Sequence, residues 1–347
     1  SQFITPVPQS RARRAVNRQS GFDFGDDAGA SSEKQKYDPH PIINEIRSLI
    51  SSWRNLPNPA DWSVTPTTAR LLQHWRSDQF EGPRPFFCQL EAVETAIWLT
   101  EVARRPRSDK DPKNYTRDER VWAHLLNANA EANPEILRLA MKMATGAGKT
   151  TVMAMLIAWQ ALNAVRTQSS KTFSRGFLIV TPGITIKDRL RVLQPEDPDN
   201  YYKTRDIVPP ELIGDIGKAK IVITNYHAFK RRETMDVSKV GRSLLQGRDA
   251  PPDTIETEGE MLRRACGDLL ALKDVVVLND EAHHCYREKP QSDEEAELTP
   301  EDKREAKENS EAARLWISGI EALNRKVGVR TVFDLSATPF FLSGSGY

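Results

Sequence analysis

The sequence predicts an α/β fold in which a mainly parallel sheet is flanked by helices and preceded by a helical N-terminal segment. Three observations predict it: five short apolar segments rich in β-branched residues, helical patterns between several of them, and a glycine-containing loop between the first strand and the next helix. Apolar strands without polar alternation are typical of a parallel sheet that is covered on both faces. In such a fold, ligands bind at the carboxyl ends of the strands.

The five predicted strands share a length of eight residues or fewer and a mostly apolar composition. They cover residues 138–145, 176–182, 220–226, 274–280 and 331–338. The clearest intervening helix is "KTTVMAMLIAWQALNAV", which begins directly after the glycine loop. These segments place an α/β domain at residues 136–347, interrupted by charged insertions near 240–262 and 287–311. Within the second insertion, Thr299 and Pro300 predict a helix start. Its later apolar face comprises Ala312, Leu315, Ile317, Ile320 and Leu323.

Residues 38–135 are predicted to be a helical lead-in. Apolar residues recur at helical spacing in "PIINEIRSLISSW", "TPTTARLLQHWR" and "CQLEAVETAIWLTEVA", and "RRPRSDKDPKNYTRDER" is predicted to be a polar stretch.

Residues 1–37 are predicted to be a flexible, polar tail, because they are rich in Ser, Gly, Asp and Arg without apolar periodicity. The tail carries a basic cluster of Arg11, Arg13, Arg14 and Arg18. A solvated tail is the simpler interpretation of this cluster, and a phosphate-contacting arm is the alternative.

Charge, cysteine content and hydropathy restrict the class of protein. The formal net charge is only +1, so any nucleic-acid surface has to be local. Three cysteines without metal-ligand spacing predict a reduced, cytoplasmic setting. No apolar run approaches the roughly 18 residues typical of a membrane span, which predicts that the protein has no membrane partner.

The loop "MATGAGKTT", residues 143–151, has the composition of a phosphate-binding loop between a strand and a helix. Glycines allow backbone N–H groups to surround phosphate oxygens, and the helix N-terminus favours negative charge. The predicted nucleotide-binding residues are Thr145, Gly146, Ala147, Gly148, Lys149, Thr150 and Thr151. Lys149 would reach the β- and γ-phosphates of ATP, and Thr150 would ligate Mg²⁺. Met143 stands where the usual pattern has its first glycine, so a glycine-rich turn without a ligand is the alternative.

The predicted strand at 274–280 runs through apolar residues to Asp280, and Glu281 follows it. Two carboxylates at the end of a buried strand are costly unless a cation lies beside them. We expect Asp280 to hold Mg²⁺ and Glu281 to orient and deprotonate an attacking water. Lys149, Asp280 and Glu281 are therefore the predicted catalytic residues, and an acidic turn without a ligand is the alternative.

With "DEAH" at 280–283, the chain resembles the first RecA-like domain of superfamily 2 helicases and translocases. Six segments match in the expected order: "RPFFCQLEAV", "ATGAGKT", "LIVTPGITIKDRL", "VITNYHAF", "DEAH" and "SAT". The resemblance covers roughly residues 38–347. Within the superfamily, "LNDEAHHCY", "ITNYHAF" and "DLSATPFFLSGSGY" resemble the Res (helicase and endonuclease) subunit of Type III restriction enzymes.

The resemblance implies roles for further residues. Gln89 would contact the adenine edge, with Phe86 or Phe87 against the base; a helix-surface role is the alternative for Gln89. The implied nucleic-acid contacts are Thr181, Pro182, Lys187, Arg189, Thr224 and Asn225. Basic residues at helix ends with no ligand are the alternative for this set. His283, Ser336 and Thr338 would couple the nucleotide state to domain movement.

The resemblance implies an ATP-dependent DNA translocase or helicase, with duplex DNA favoured over single-stranded DNA. The implied partners are a second RecA-like domain, in cis or in trans, and a modification methyltransferase subunit. Because neither the second domain nor a nuclease domain has room after Thr338, we expect this chain to bind Mg·ATP weakly and to hydrolyse it poorly alone. The alternatives are an RNA or single-stranded DNA helicase domain, and a non-catalytic module that binds ATP or DNA for assembly.

Overall fold

A computed structural model describes residues 40–77, 80, 83–232, 255–282 and 300–337. The tail 1–37 lies outside these residues, as do most of the two predicted insertions. The described helices are α1 (His40–Arg54), α2 (Pro66–Arg76), α3 (Phe87–Ile97), α4 (Arg117–Ala132), α5 (Lys149–Arg166), α6 (Ile184–Arg189), α7 (Tyr201–Thr204), α8 (Ile213–Ile216), α9 (Glu258–Cys266) and α10 (Pro300–Val327). The described strands are β1 (Arg138–Lys142), β2 (Gly176–Thr181), β3 (Lys220–Asn225), β4 (Val275–Asp280) and β5 (Val329–Ser336).

The five strands form one parallel sheet in the order β1-β5-β4-β2-β3. The predicted α/β class and the five predicted strands are confirmed. Parallel pairing brings the carboxyl ends of all five strands to one edge, where the glycine loop after β1 and the acidic pair after β4 both lie.

The sheet separates two apolar cores, because successive side chains of a strand point to opposite faces. In β4, Val276 and Leu278 face the core that contains α5 and the lead-in helices. Val275 and Val277 face the core formed by α9 and α10. The sheet covers one side of α5, and α2 and α3 pack against other sides of α5. This helix is therefore buried from Thr151 to Asn163.

A buried carboxylate connects the lead-in to α5. Glu101 accepts hydrogen bonds from the Thr65 backbone N–H at 2.8 Å, the Thr68 hydroxyl at 2.7 Å and Trp159 Nε1 at 2.7 Å. Burial raises the pKa of Glu101, and these hydrogen bonds to the carboxylate oppose the rise. The start of α2 is thereby fixed against the helix that follows the glycine loop.

Two helices differ from the sequence-based expectations. α4 begins inside the stretch predicted to be polar, and there Glu119 Oε2 accepts from the Thr116 backbone N–H at 2.8 Å. α9 begins inside the insertion predicted near 240–262, and Thr257 and Glu260 cap it reciprocally, at 2.9 and 3.3 Å. Both polar sequences begin helices because a Thr-x-x-Glu pair satisfies the first backbone N–H groups. α10 begins at Pro300, as predicted, and its buried face includes Trp316, which the prediction omitted.

None of the described helices combines the length and the apolar character needed to cross a membrane.

Candidate nucleotide-binding site

The glycine loop connects β1 to α5 at the carboxyl edge of the sheet. Its entry is fixed by β5, because the Met143 backbone N–H donates to the Ser336 carbonyl at 2.9 Å. Gly146 and Gly148 have φ angles of +79° and +80°, in the left-handed region that other residues rarely adopt. Alternating helical and left-handed residues turn backbone N–H groups toward one concavity, which is how proteins bind phosphate.

Gln89 fixes the loop from the side of α3. Its Nε2 donates to the Ala147 carbonyl at 2.9 Å, and its Oε1 accepts from the Phe86 backbone N–H at 2.9 Å. A Cβ added at Gly148 would lie 2.2 Å from Gln89 Nε2, so this glycine also makes room for the amide. Gln89 is only 4% exposed, which shows that it is not a helix-surface residue. An amide has two hydrogens and two lone pairs, so these two contacts leave one of each on Gln89. Contact of Gln89 with an adenine stays a prediction.

Two aromatic rings lie exposed at the start of α3, beside the loop. Phe86 is 61% and Phe87 is 56% exposed, and the Arg54 guanidinium lies 5.4 Å from the centre of the Phe87 ring. The two rings offer an apolar surface beside the loop, and contact with a base stays a prediction.

The acidic pair lies opposite the loop. Lys149 Nζ, at the first residue of α5, lies 2.6 Å from Glu281 Oε1, just after β4. Glu281 has a φ angle of +50°, which turns the chain directly after the strand. Its backbone N–H donates to Asp280 Oδ1 at 3.1 Å. The structure thus brings the predicted lysine and both predicted carboxylates together.

Asp280 is 8% exposed and has a raised pKa. Burial is the largest cause and repulsion by Glu281 the next, while Lys149 and Arg189 act in the opposite direction. Ionisation of a buried carboxylate is costly, and a divalent cation beside it would stabilise the ionised form.

No cluster of three or more His, Cys, Asp or Glu with metal-site geometry occurs among the described residues. Mg²⁺ does not need such a cluster, because it is usually bound by one or two carboxylates with substrate phosphates and water. The burial of Asp280 fits such an ion, and ligation of Mg²⁺ by Thr150 stays a prediction.

Comparison with known protein families decides the identity. The family model described as Type III restriction enzyme, res subunit, matches residues 88–341. The chain belongs to this family. It is a superfamily 2, RecA-like P-loop domain and therefore a helicase-like ATP-binding motor domain. No curated protein and no solved structure matches the chain.

The predicted nucleic-acid contacts of this Res-family chain lie at the ends of β2 and β3. Thr181 and Asn225 are paired in register there, and Arg189 is exposed nearby on α6. Pro182 is partly exposed, whereas Thr181 and Thr224 are buried. The Thr181 hydroxyl donates to the Gly183 carbonyl at 2.9 Å, so its side chain is occupied within the protein. The Lys187 side chain lies outside the described part of the chain, and contact of all six residues with nucleic acid stays a prediction.

Of the predicted coupling residues, only Ser336 is described. It is fully buried at the end of β5, where its carbonyl accepts from Met143 of the glycine loop. His283 and Thr338 lie outside the described residues.

Sequence reasoning missed a buried polar network beneath the site. Asp334 of β5 is fully buried, and its Oδ2 lies 2.8 Å from Arg138 Nη2 of β1. Its Oδ1 accepts from Asn279 Nδ2 at 2.7 Å, and Asn279 Oδ1 accepts from Trp316 Nε1 at 3.0 Å. The available signal was a charged residue of opposite sign in each of two predicted strands, Arg138 in β1 and Asp334 in β5, since a buried charge requires a partner.

Proposed function

We propose that this chain binds Mg·ATP between the glycine loop and Asp280–Glu281 and hydrolyses it, as the first motor domain of a DNA translocase or helicase of the Type III restriction type. The observation that carries the proposal is the 2.6 Å contact between Lys149 and Glu281, adjacent to the buried Asp280. A phosphate-binding cation and a candidate base share one small volume at the edge of the sheet. That arrangement suits transfer of a phosphoryl group to water.

Each residue has a defined task in this proposal. The backbone N–H groups of 145–150 surround the β-phosphate, and the Lys149 ammonium moves from Glu281 toward the β- and γ-phosphate oxygens. Glu281 is then free to accept a hydrogen bond from the attacking water and to take its proton. A positioned general base contributes about 10²–10⁴ in rate. Mg²⁺, held by Thr150 and Asp280, would neutralise charge that develops on the phosphates.

The base and the adenine edge would be bound by α3. Phe86 or Phe87 offers an exposed ring, and Gln89 retains one amide hydrogen and one lone pair beyond its two contacts. Since Gln89 also contacts the Ala147 carbonyl, base recognition and loop conformation would be linked through one side chain.

DNA is the proposed track, with the duplex favoured over single strands. Arg189, at the end of α6, and Asn225, at the carboxyl end of β3, offer a charge and an amide to a phosphate backbone. Backbone contacts do not distinguish DNA from RNA, so an RNA or single-stranded DNA track is the alternative. A second RecA-like domain would supply an arginine for the transition state, and a modification subunit would supply recognition of the DNA site.

Steady-state ATP hydrolysis with Mg²⁺ tests the proposal, measured with blunt duplex DNA, single-stranded DNA or RNA. We expect slow turnover by the chain, stimulated most by duplex DNA and abolished by Lys149→Ala. Lys113→Ala, at an exposed lysine that is not among the proposed site residues, is the matched control and should hydrolyse ATP as the wild type does. Turnover that survives Lys149→Ala would overturn the proposed site.

The alternative of a non-catalytic assembly module predicts tight binding of ATP without hydrolysis, even when a second RecA-like domain is supplied. The presence of Glu281 beside Lys149 favours hydrolysis, because an ATP-binding scaffold has no need of a base there.

A further inference from the structure

Trp316, in the middle of α10, lies between the proposed nucleotide site and the proposed nucleic-acid surface, on the face of the sheet that α10 covers. The side chain is fully buried. Its ring stacks on Tyr226, with centroids 5.5 Å apart and planes 8° from parallel. Its Nε1 donates to Asn279 Oδ1 at 3.0 Å. One side chain therefore contacts both the segment after β3 and the strand that ends at Asp280.

The Asn279 end of this connection leads to the phosphate site. Asn279 precedes Asp280 in β4, and the alternation of the strand points its side chain toward α10, on the face opposite α5. Asn279 also donates to Asp334, which is paired with Arg138. Because Arg138 lies in the strand that enters the glycine loop, this network fixes β1, β5 and β4 relative to one another.

The Tyr226 end leads to the proposed nucleic-acid surface. Tyr226 is partly exposed and follows Asn225, which is paired in register with Thr181. The segment is held closely against α10, since a Cβ added at Gly319 would lie 2.2–2.6 Å from atoms of the Phe229 ring. Phe229 and the Tyr226–Trp316 stack thus pack the segment against α10 at two points.

We propose that Trp316 is a positioning residue that links occupancy of the nucleic-acid surface at Asn225 to the geometry of Asp280. Nucleic acid that orders Tyr226 orders the stacked indole, and the indole N–H holds Asn279, one residue before the proposed Mg²⁺ ligand. Trp316 itself contacts neither ligand. The inference rests on the proposed function, because it assumes that ATP and nucleic acid bind at the two ends of the connection.

The coupling between the two ligands can be measured without turnover. If nucleic acid tightens nucleotide binding by some factor, nucleotide must tighten nucleic-acid binding by the same factor. The experiment determines the Kd of a fluorescent, non-hydrolysable ATP analogue with Mg²⁺, in the absence and presence of saturating blunt duplex DNA. The ratio of the two values is the coupling factor, and the reverse titration provides an internal check.

Trp316→Phe removes the indole N–H and retains an aromatic ring against Tyr226. Trp75→Phe is the matched control, because Trp75 is equally buried and its Nε1 donates at 2.8 Å to the Ile207 carbonyl, outside this connection. We expect a coupling factor of about 5 or more in the wild type and in Trp75→Phe, and a factor within about 2-fold of unity in Trp316→Phe. The Kd of the analogue without DNA should change by less than about 3-fold, since Trp316 does not contact the glycine loop and Asn279 keeps its hydrogen bond to Asp334.

The outcomes separate the inference from the function on which it rests. Wild-type coupling that persists in Trp316→Phe, or ligands that bind the wild type independently, would overturn the inference and leave the proposed function in place. A wild type that binds neither ligand would overturn the proposed function itself. If Trp316→Phe does not fold, Tyr226→Leu provides a second variant, because it removes the ring that stacks on Trp316. We expect this variant to lose the same coupling. Full coupling in Tyr226→Leu would also overturn the inference.

Discussion

Lys149 Nζ lies 2.6 Å from Glu281 Oε1, so the lysine that should bind ATP phosphates is paired with the carboxylate that should activate water. The two groups would have to separate for each to perform its proposed task. Competition between the γ-phosphate and Glu281 for one ammonium would make the base available only when a triphosphate occupies the loop. The pairing would therefore restrict activation of water to the state in which a triphosphate is bound.

The first prediction concerns Glu281→Gln. The amide retains the size of the side chain but cannot take a proton, and it no longer competes as an anion for Lys149. We expect turnover to fall by about 10²-fold or more, the usual contribution of a general base, with ATP binding retained or tightened. Turnover and the Kd for ATP measured on the same preparation check this.

Lys149→Ala provides the contrast, since it should weaken ATP binding and turnover together. If Glu281→Gln instead weakened binding while leaving kcat unchanged, Glu281 would be a binding residue and not the base.

The second prediction follows from the raised pKa of Asp280. The folded protein binds this proton more tightly than the unfolded chain, so stability falls as the pH rises from the ordinary value of 3.8 through the raised pKa. Ionised Asp280 therefore destabilises the metal-free fold at neutral pH. We expect Asp280→Asn to raise the free energy of unfolding at pH 7 and this advantage to shrink as the pH falls toward 3.8.

Urea unfolding in EDTA at several pH values measures that difference. Asp188→Asn makes the same substitution at an exposed carboxylate and is the control for the change of residue type. An Asp280→Asn advantage that is independent of pH would contradict the assignment. Added Mg²⁺ and nucleotide should stabilise the wild type more than the variant, since ligands that bind only the folded state stabilise it.

Much of this fold could be predicted because its strands are short, apolar and rich in β-branched residues, and because the glycine loop and the acidic pair carry recognisable chemistry. The strand order could not be predicted, because pairing between distant segments leaves no local signal. α4 lies within the predicted helical lead-in, but its first turn falls in the stretch predicted to be polar, where the Thr116–Glu119 capping pair indicates a helix start.

The site was predictable residue by residue, but its contacts were not. The position of Gln89 suggested a nucleotide contact, whereas its hydrogen bond to the Ala147 carbonyl depends on how α3 packs against the loop. The pairing of Asn279, Asp334 and Trp316 likewise joins three elements that are remote in sequence. Charged and amide residues in apolar strands indicate that a network exists, but not which groups form it.

The third prediction concerns this network. Asp334→Asn retains the shape of the side chain and an acceptor for Asn279, but removes the negative charge that pairs with the 5% exposed Arg138 guanidinium. Removing one partner of a buried ion pair costs about 3–5 kcal/mol. We expect a loss of that size in the free energy of unfolding, measured by urea titration.

Asp109→Asn is the matched control, because the Arg107–Asp109 pair has a similar 2.8 Å separation but lies exposed. That change should cost no more than about 1 kcal/mol. Equal losses in the two variants would show that burial of the Arg138–Asp334 pair has no energetic consequence.

The last prediction compares the two glycines of the loop, which share a left-handed backbone but differ in their surroundings. Gly146→Ala places its Cβ in open space and should show mainly the cost of a left-handed alanine, about 1–2 kcal/mol. Gly148→Ala bears the same cost and also drives its Cβ to 2.2 Å from Gln89 Nε2, which displaces the amide that holds the Ala147 carbonyl. We therefore expect Gly148→Ala to weaken ATP binding by at least about 10-fold more than Gly146→Ala. The double variant Gly148→Ala/Gln89→Ala relieves the clash and should recover the part of this difference that comes from distortion of the loop, whereas the part due to the lost hydrogen bond to Ala147 should remain. Equal ATP affinities in the two single variants would mean that Gln89 does not determine the shape of the loop.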